Sequence, residues 1–196
     1  MKLFSKKISL AAAPLAVGLI TLAVFLPALS FDFVNWDDKL ALTDNPHFRG
    51  LGVERLRWMF TTFHMGHYQP LTWLTFGIDH RIWGMNPMGY HLTNIVLHAV
   101  NAMIFYMVAF LLISPAVSPL SPLSPPSETG VRIAAGLAAL FFAIHPLRVE
   151  SVAWVTERRD LMSGLFFLLT ILFYLRAAVA GPDPARRRWM AASLTV

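Results

Sequence analysis

Long apolar runs alternate along this chain with stretches in which apolar residues recur at helical spacing. Ile8 to Leu29 is apolar over about 22 residues, enough to cross a bilayer core of about 30 Å as a helix. Ala28-Leu29-Ser30 resembles a signal-peptide cleavage site, but the run is longer than the usual h-region of about 7–15 residues and further spans follow, so it reads as a retained span. Further spans are expected over 90–113, 131–145 and 161–178, with 189–196 as the start of a fifth. Between the first two, Val53, Leu56, Met59, Phe60 and Phe63 fall at helical spacing with Glu54, Arg55 and Arg57 among them. This pattern predicts an amphipathic helix lying on the membrane surface. A second such helix is expected from Pro70, where a missing N–H costs nothing, to Trp83, with Gly84 stopping it. Trp58, Trp73 and Trp83 are expected as interfacial anchors. Asn86-Pro87 marks the next helix start. The Ser-Pro repeats within 114–130 favour an extended linker.

Composition agrees. The chain is 56% hydrophobic and 14% charged, against about 45–50% and 25% for soluble domains. The net charge of +5 sits largely in Lys2, Lys6, Lys7 and Arg186-Arg187-Arg188, beside apolar runs. That placement follows the positive-inside rule and argues against nucleic acid as a partner. It predicts a cytoplasmic N terminus and linker, with loops 30–89 and 146–160 outside. The absence of cysteine removes disulfides, thiolate metal sites and cysteine nucleophiles. The fold class expected is all-α and polytopic: a single membrane domain of four spans plus the start of a fifth, and part of a longer module.

Charged chemistry gathers in the two outer loops. Asp32, Asp37, Asp38 and Asp44 lie within 30–46, and His145, Arg148, Glu150, Glu157, Arg158, Arg159 and Asp160 within 145–160. Carboxylates facing arginines suit a reaction in which a hydroxyl loses a proton and a phosphate leaves. The alternative is mutual salt bridging by short solvated loops. His91 and His98 share a helix face, but a bis-histidine haem needs ligands from two helices at matched depth, and His145 is the only other candidate within a span. His64 and His67 could clip a metal, although no further ligand clusters with them. Gly-rich phosphate loops, G-x-S-x-G and H-E-x-x-H are all missing.

One set of motifs is more specific. Asn35-Trp36-Asp37-Asp38, Asp44-Asn45-Pro46, Tyr68-Gln69-Pro70-Leu71-Thr72-Trp73, Asn86-Pro87-x-Gly89-Tyr90-His91-x-x-Asn94 and His145-Pro146-Leu147-Arg148-Val149-Glu150-Ser151-Val152-Ala153-Trp154 occur in this order, followed by Glu157-Arg158-x-Asp160. Over about 31–176 the chain resembles the N-terminal membrane region of bacterial tetratricopeptide-repeat membrane proteins, which are similar to the transmembrane and tetratricopeptide repeat-containing O-mannosyltransferases. The resemblance implies the N-terminal half of a GT-C glycosyltransferase in a bacterial inner membrane. Such an enzyme passes a sugar, mannose in the namesake family, from a polyprenyl-phosphate donor to a protein or glycan acceptor outside the cytoplasm. The family's acidic motif falls on Asp37 and Asp38, the candidate catalytic residues, with a divalent cation as an optional cofactor there. His67, Gln69, His145, Arg148, Glu150, Arg158, Arg159 and Asp160 are the candidate substrate-binding residues. The competing expectations are a non-catalytic membrane anchor or assembly protein, and a transporter. The transporter lacks the charged mid-span residue expected of a coupling site.

Overall fold

The computed structural model describes residues 2–114, 127–180 and 184–196, with side chains from residue 12 onward. Most of the expected Ser-Pro linker therefore lies outside the described residues, as do residues 181–183. The elements are helices: α1 (Lys2–Phe25), α2 (Val53–Thr61), α3 (Pro70–Trp83), α4 (Pro87–Ile113), α5 (Glu128–Ile144), α6 (Arg148–Ala153), α7 (Arg158–Val179) and α8 (Pro184–Thr195). No β-strand occurs among the described residues. Three stretches are long and apolar enough to cross a membrane: Ala12–Ser30, Pro87–Ile113 and Val155–Val179. They make the chain an integral membrane protein. At 17 residues, α5 sits at the lower limit of about 17–25 for a crossing helix. The expected fifth span is part of α8, which begins before the three arginines, at Pro184.

Local chemistry sets the helix ends. Asn86 caps α4 by accepting from Met88 N–H at 3.2 Å. Ser127 caps α5, accepting from Gly130 N–H at 3.1 Å. Gly84 ends α3 at φ +62°, in the left-handed region that glycine enters without strain. Gly89 is required for a different reason. A Cβ there would lie 2.1 Å from Trp83 Cγ, so only glycine lets the start of α4 approach that indole.

The chain divides into two compact units. A loop unit comprises Val24–His98 and Pro146–Ser163, and a helix unit comprises Met1–Ala23, Ala99–His145 and Gly164–Val196. In the helix unit, Ala102 of α4 packs in one cluster with Ala135, Ala139 and Ala143 of α5, and these four are fully buried. Small residues repeating every fourth position let helix backbones approach closely, which is how helices associate where lipid offers no hydrophobic drive. Phe105 and Phe142 stack beside this seam, centroids 4.5 Å apart.

The loop unit has a core of its own. Leu42, Phe48, Met59, Trp73, Phe76, Tyr90 and Val155 are fully buried in one cluster. This corrects two expectations. Met59 faces the interior, leaving Val53 and Phe60 as the exposed apolar residues of α2. Trp73 is no interfacial anchor, since it packs edge-on to Trp58 at 5.1 Å and stacks on Phe48 at 6.1 Å. Trp58 and Trp83 are half-buried, and the strongly exposed indole of this unit is Trp36. Aromatic groups at the expected spacing packed against each other because, together, they remove more apolar surface than each would alone.

Candidate functional site

The paired carboxylates of the loop unit have different surroundings. After the turn at Trp36, a single π-turn spans Lys39–Thr43, closed by Asp44 N–H donating to Lys39 C=O at 2.8 Å. Asp38 is fully buried ahead of it. One carboxylate oxygen accepts from Val34 N–H at 2.9 Å. The other accepts from Thr156 N–H at 2.9 Å and from the Thr156 hydroxyl. Asp38 thus ties the segment after α1 to the segment before α7. Asp37 is only half-buried. The two neighbours differ because successive residues in a turn point in different directions.

Arg158, at the start of α7, is fully buried and surrounded by the loop unit. Its Nε donates to Asn94 Oδ1 at 2.6 Å and its Nη2 to Tyr90 C=O at 2.9 Å. Its Nη1 reaches Thr75 Oγ1 at 3.2 Å and Asp79 Oδ2 at 2.6 Å. The guanidinium also lies 4.3 Å from the Phe76 ring centroid. Burial pushes the Asp79 carboxyl up, while the Arg158 charge and the Thr93 hydroxyl at 2.7 Å pull it back. An arginine so enclosed holds α3, α4 and α7 together and has no donor face turned to a ligand. Asn94 completes the assembly, donating to Val152 C=O at 3.2 Å.

Beside this framework runs a groove of about 430 Å³, lined by Phe31, Val34, Trp36, Val149, Glu150, Ala153 and Trp154. It brings residues next to the Asn35-Trp36-Asp37-Asp38 motif together with α6. Glu150 is exposed and is the carboxylate of the lining. The indole N–H of Trp154 is buried without a hydrogen-bond partner. Aromatic faces beside a carboxylate suit a ligand with both apolar and hydroxyl-bearing surfaces. Sequence reading named Glu150 but not Trp36 or Trp154 as site residues. Their position inside two of the quoted motifs was the signal available.

The remaining candidates are dispersed. Arg159 is half-buried and ion-paired with Glu157. Asp160 is exposed and accepts from the Ser151 hydroxyl at 3.3 Å. Arg148 opens α6 and is half-exposed. His67 is exposed, its N–H donating to His64 C=O at 3.1 Å. Gln69 precedes α3 with its side-chain oxygen buried and unpartnered. His145 belongs to the helix unit, where it ends α5 edge-on to Phe141 at 5.2 Å. Among the described residues, no group of three or more His, Asp or Glu side chains could hold a metal ion.

These features define an integral membrane protein in which the segments between apolar helices build a folded unit with its own core. No family model and no solved structure matches the chain. Among curated proteins, it is similar to protein O-mannosyl-transferase TMTC3 of Homo sapiens, 32% identical over 199 residues, covering 96% of this chain and 19% of that protein. It is also similar to protein O-mannosyl-transferase TMTC4 of Homo sapiens, 34% identical over 180 residues, covering 84% of this chain and 23% of that protein. A third relative is protein O-mannosyl-transferase Tmtc3 of Drosophila melanogaster, 35% identical over 127 residues, covering 63% of this chain and 14% of that protein. The chain spans about a fifth of the length of these curated relatives.

Proposed function

We propose that the chain is the N-terminal part of a GT-C-type membrane glycosyltransferase. In this reading α5 crosses as a fourth span, the N terminus is cytoplasmic and the loop unit lies outside, facing a polyprenyl-phosphate sugar. The observation that carries the reading is the groove joining Trp36, next to Asp37, to Glu150 and Trp154. It is supported by the likeness to proteins named as O-mannosyl-transferases over nearly the whole chain. The acceptor hydroxyl of a protein or glycan loses its proton to Asp37 as its oxygen attacks the sugar's anomeric carbon. The bond from that carbon to the lipid phosphate breaks, and the polyprenyl phosphate leaves with the electron pair. In this reading Arg148 and Arg159 meet that phosphate, since Arg158 is fully buried. Asp38 acts as a positioning residue. A divalent cation at this pair would rest on Asp37, since Asp38 already accepts from three donors.

The test is sugar transfer from polyprenyl-phosphate mannose in membranes carrying the full-length protein. Asp37→Asn should slow transfer by about 10²–10⁴-fold with the protein level unchanged, as expected for loss of a general base. Asp38→Asn should lower the amount of folded protein as well. Transfer at the parent rate by Asp37→Asn removes Asp37 from catalysis. The rival reading, a non-catalytic anchor or assembly protein, is favoured by the burial of Asp38 and Arg158 in structural contacts. A parent protein that transfers no sugar from any donor would support it.

A further inference from the structure

The helix unit contains a second groove, of about 570 Å³, which the proposed transfer reaction does not use. Leu15 of α1 and Ile104, Met107 and Leu111 of α4 are among its apolar walls, and two guanidiniums, Arg132 of α5 and Arg176 of α7, are its cationic groups. Its wall on α4 runs from Val100 to Leu111, about 16 Å at 1.5 Å per residue. That is about half of a 30 Å hydrocarbon core, the depth of one leaflet. Arg132 lies near the start of α5 and Arg176 near the end of α7. Arg132 donates to the exposed Glu128 at 2.7 Å, and the exposed Arg176 lies 6.0 Å from the Trp189 ring centroid.

We infer that this groove binds an anionic glycerophospholipid, one acyl chain lying along α4 and the phosphate held by Arg132 and Arg176. Charge selects the headgroup: both cations attract the phosphate of any phospholipid, but a choline headgroup brings a positive charge that they repel, whereas phosphatidylglycerol keeps its net negative charge. Length selects the tail. An acyl chain occupies one leaflet, whereas a polyprenyl tail is several times longer than the groove. The site therefore belongs to a bilayer lipid and is distinct from any sugar donor, and its presence does not depend on the glycosyltransferase reading.

The experiment is native mass spectrometry of the full chain purified in mild detergent and titrated with dioleoylphosphatidylglycerol, dioleoylphosphatidylcholine or a polyprenyl phosphate. The expected result is one tightly held phosphatidylglycerol, with phosphatidylcholine bound at least about tenfold more weakly. Arg132→Gln with Arg176→Gln should weaken phosphatidylglycerol by about 30-fold, from the attraction of two basic residues for anionic lipid. Arg132→Lys with Arg176→Lys should keep the preference. Ile104→Trp, which fills the apolar wall, should weaken both phospholipids. Equal affinity for the two phospholipids in the parent chain, or preference for the polyprenyl phosphate, would overturn the assignment. So would undiminished phosphatidylglycerol binding by the double glutamine variant. The parent measurements decide the matter even where a variant fails to fold.

Discussion

The two units of this protein solve the packing problem in opposite ways. The loop unit buries large aromatic side chains around a fully enclosed arginine, with Asp79, Asn94, Thr75 and the Tyr90 carbonyl around the cation. The helix unit closes on alanines, with Ala102, Ala135, Ala139 and Ala143 showing no exposed surface. Water drives the first kind of core, because apolar surface leaves water when it forms. Lipid gives no such drive, so the second depends on close backbone approach and dispersion. A buried charge also carries different risks in the two settings. In the loop unit it is tolerated because its donors find fixed acceptors, and removing one partner strands the other.

That contrast can be broken most forcefully at Arg158. Arg158→Met should destabilise the protein by about 3–5 kcal/mol, since it leaves Asp79 buried without its cation. Asp79→Leu combined with Arg158→Met should recover part of this, and thermal unfolding in detergent reads both. A double variant no better than the single would show that the cost lies in the Asn94, Thr75 and Tyr90 contacts instead. In the helix unit, Ala139→Leu should cost about 1–3 kcal/mol by overpacking the alanine seam. A cost larger than that of Arg158→Met would reverse the ranking of the two cores. The smallest effect is expected at His80. Partial burial, then the charges of Arg49 and Arg55, hold its imidazole below the ordinary 6.5. The folded protein therefore binds that proton less readily than the unfolded chain. The stability contribution is present above the unfolded value near 6.5 and is lost as pH falls through the lower folded value. An NMR titration of His80 should move towards 6.5 in Arg49→Gln, and an unmoved midpoint would remove Arg49 as a cause.

Element starts and stops were legible in the sequence because they depend on neighbours in the chain. Asn86-Pro87, Pro70 and Gly84 fix their helix ends through backbone chemistry within a few residues. The inward face of the loop unit was not legible. Trp73 at helical spacing reads equally as a membrane anchor or a core residue, and the choice rests on Phe48, which packs on it from an irregular segment. The acidic pair posed the same difficulty. Nothing local separates Asp37 from Asp38, and Asp38 is distinguished by Thr156, 118 residues away. Arg158 and Arg159 are likewise adjacent, yet Arg158 turns inward to Asp79 while Arg159 stays half-buried with Glu157. The groove at Trp36, Glu150 and Trp154 was missed because the aromatic members carry no titratable chemistry to draw notice.

The clasp between Asp38 and Thr156 also sets a clock for biosynthesis. The ribosome must add 118 residues after Asp38 before its partner exists. At about 5–20 residues per second, this takes about 6–24 s. Once Asp38 has emerged from the ribosome, and until Thr156 follows, the carboxylate is an acceptor without its Thr156 donors. Hydration or a chaperone must cover it, and the first loop reaches its final form only when the second is made. A nascent chain stalled before Thr156 would therefore present Asp38 to solvent, where a protease or a carboxylate-modifying reagent could tell it apart from the finished protein.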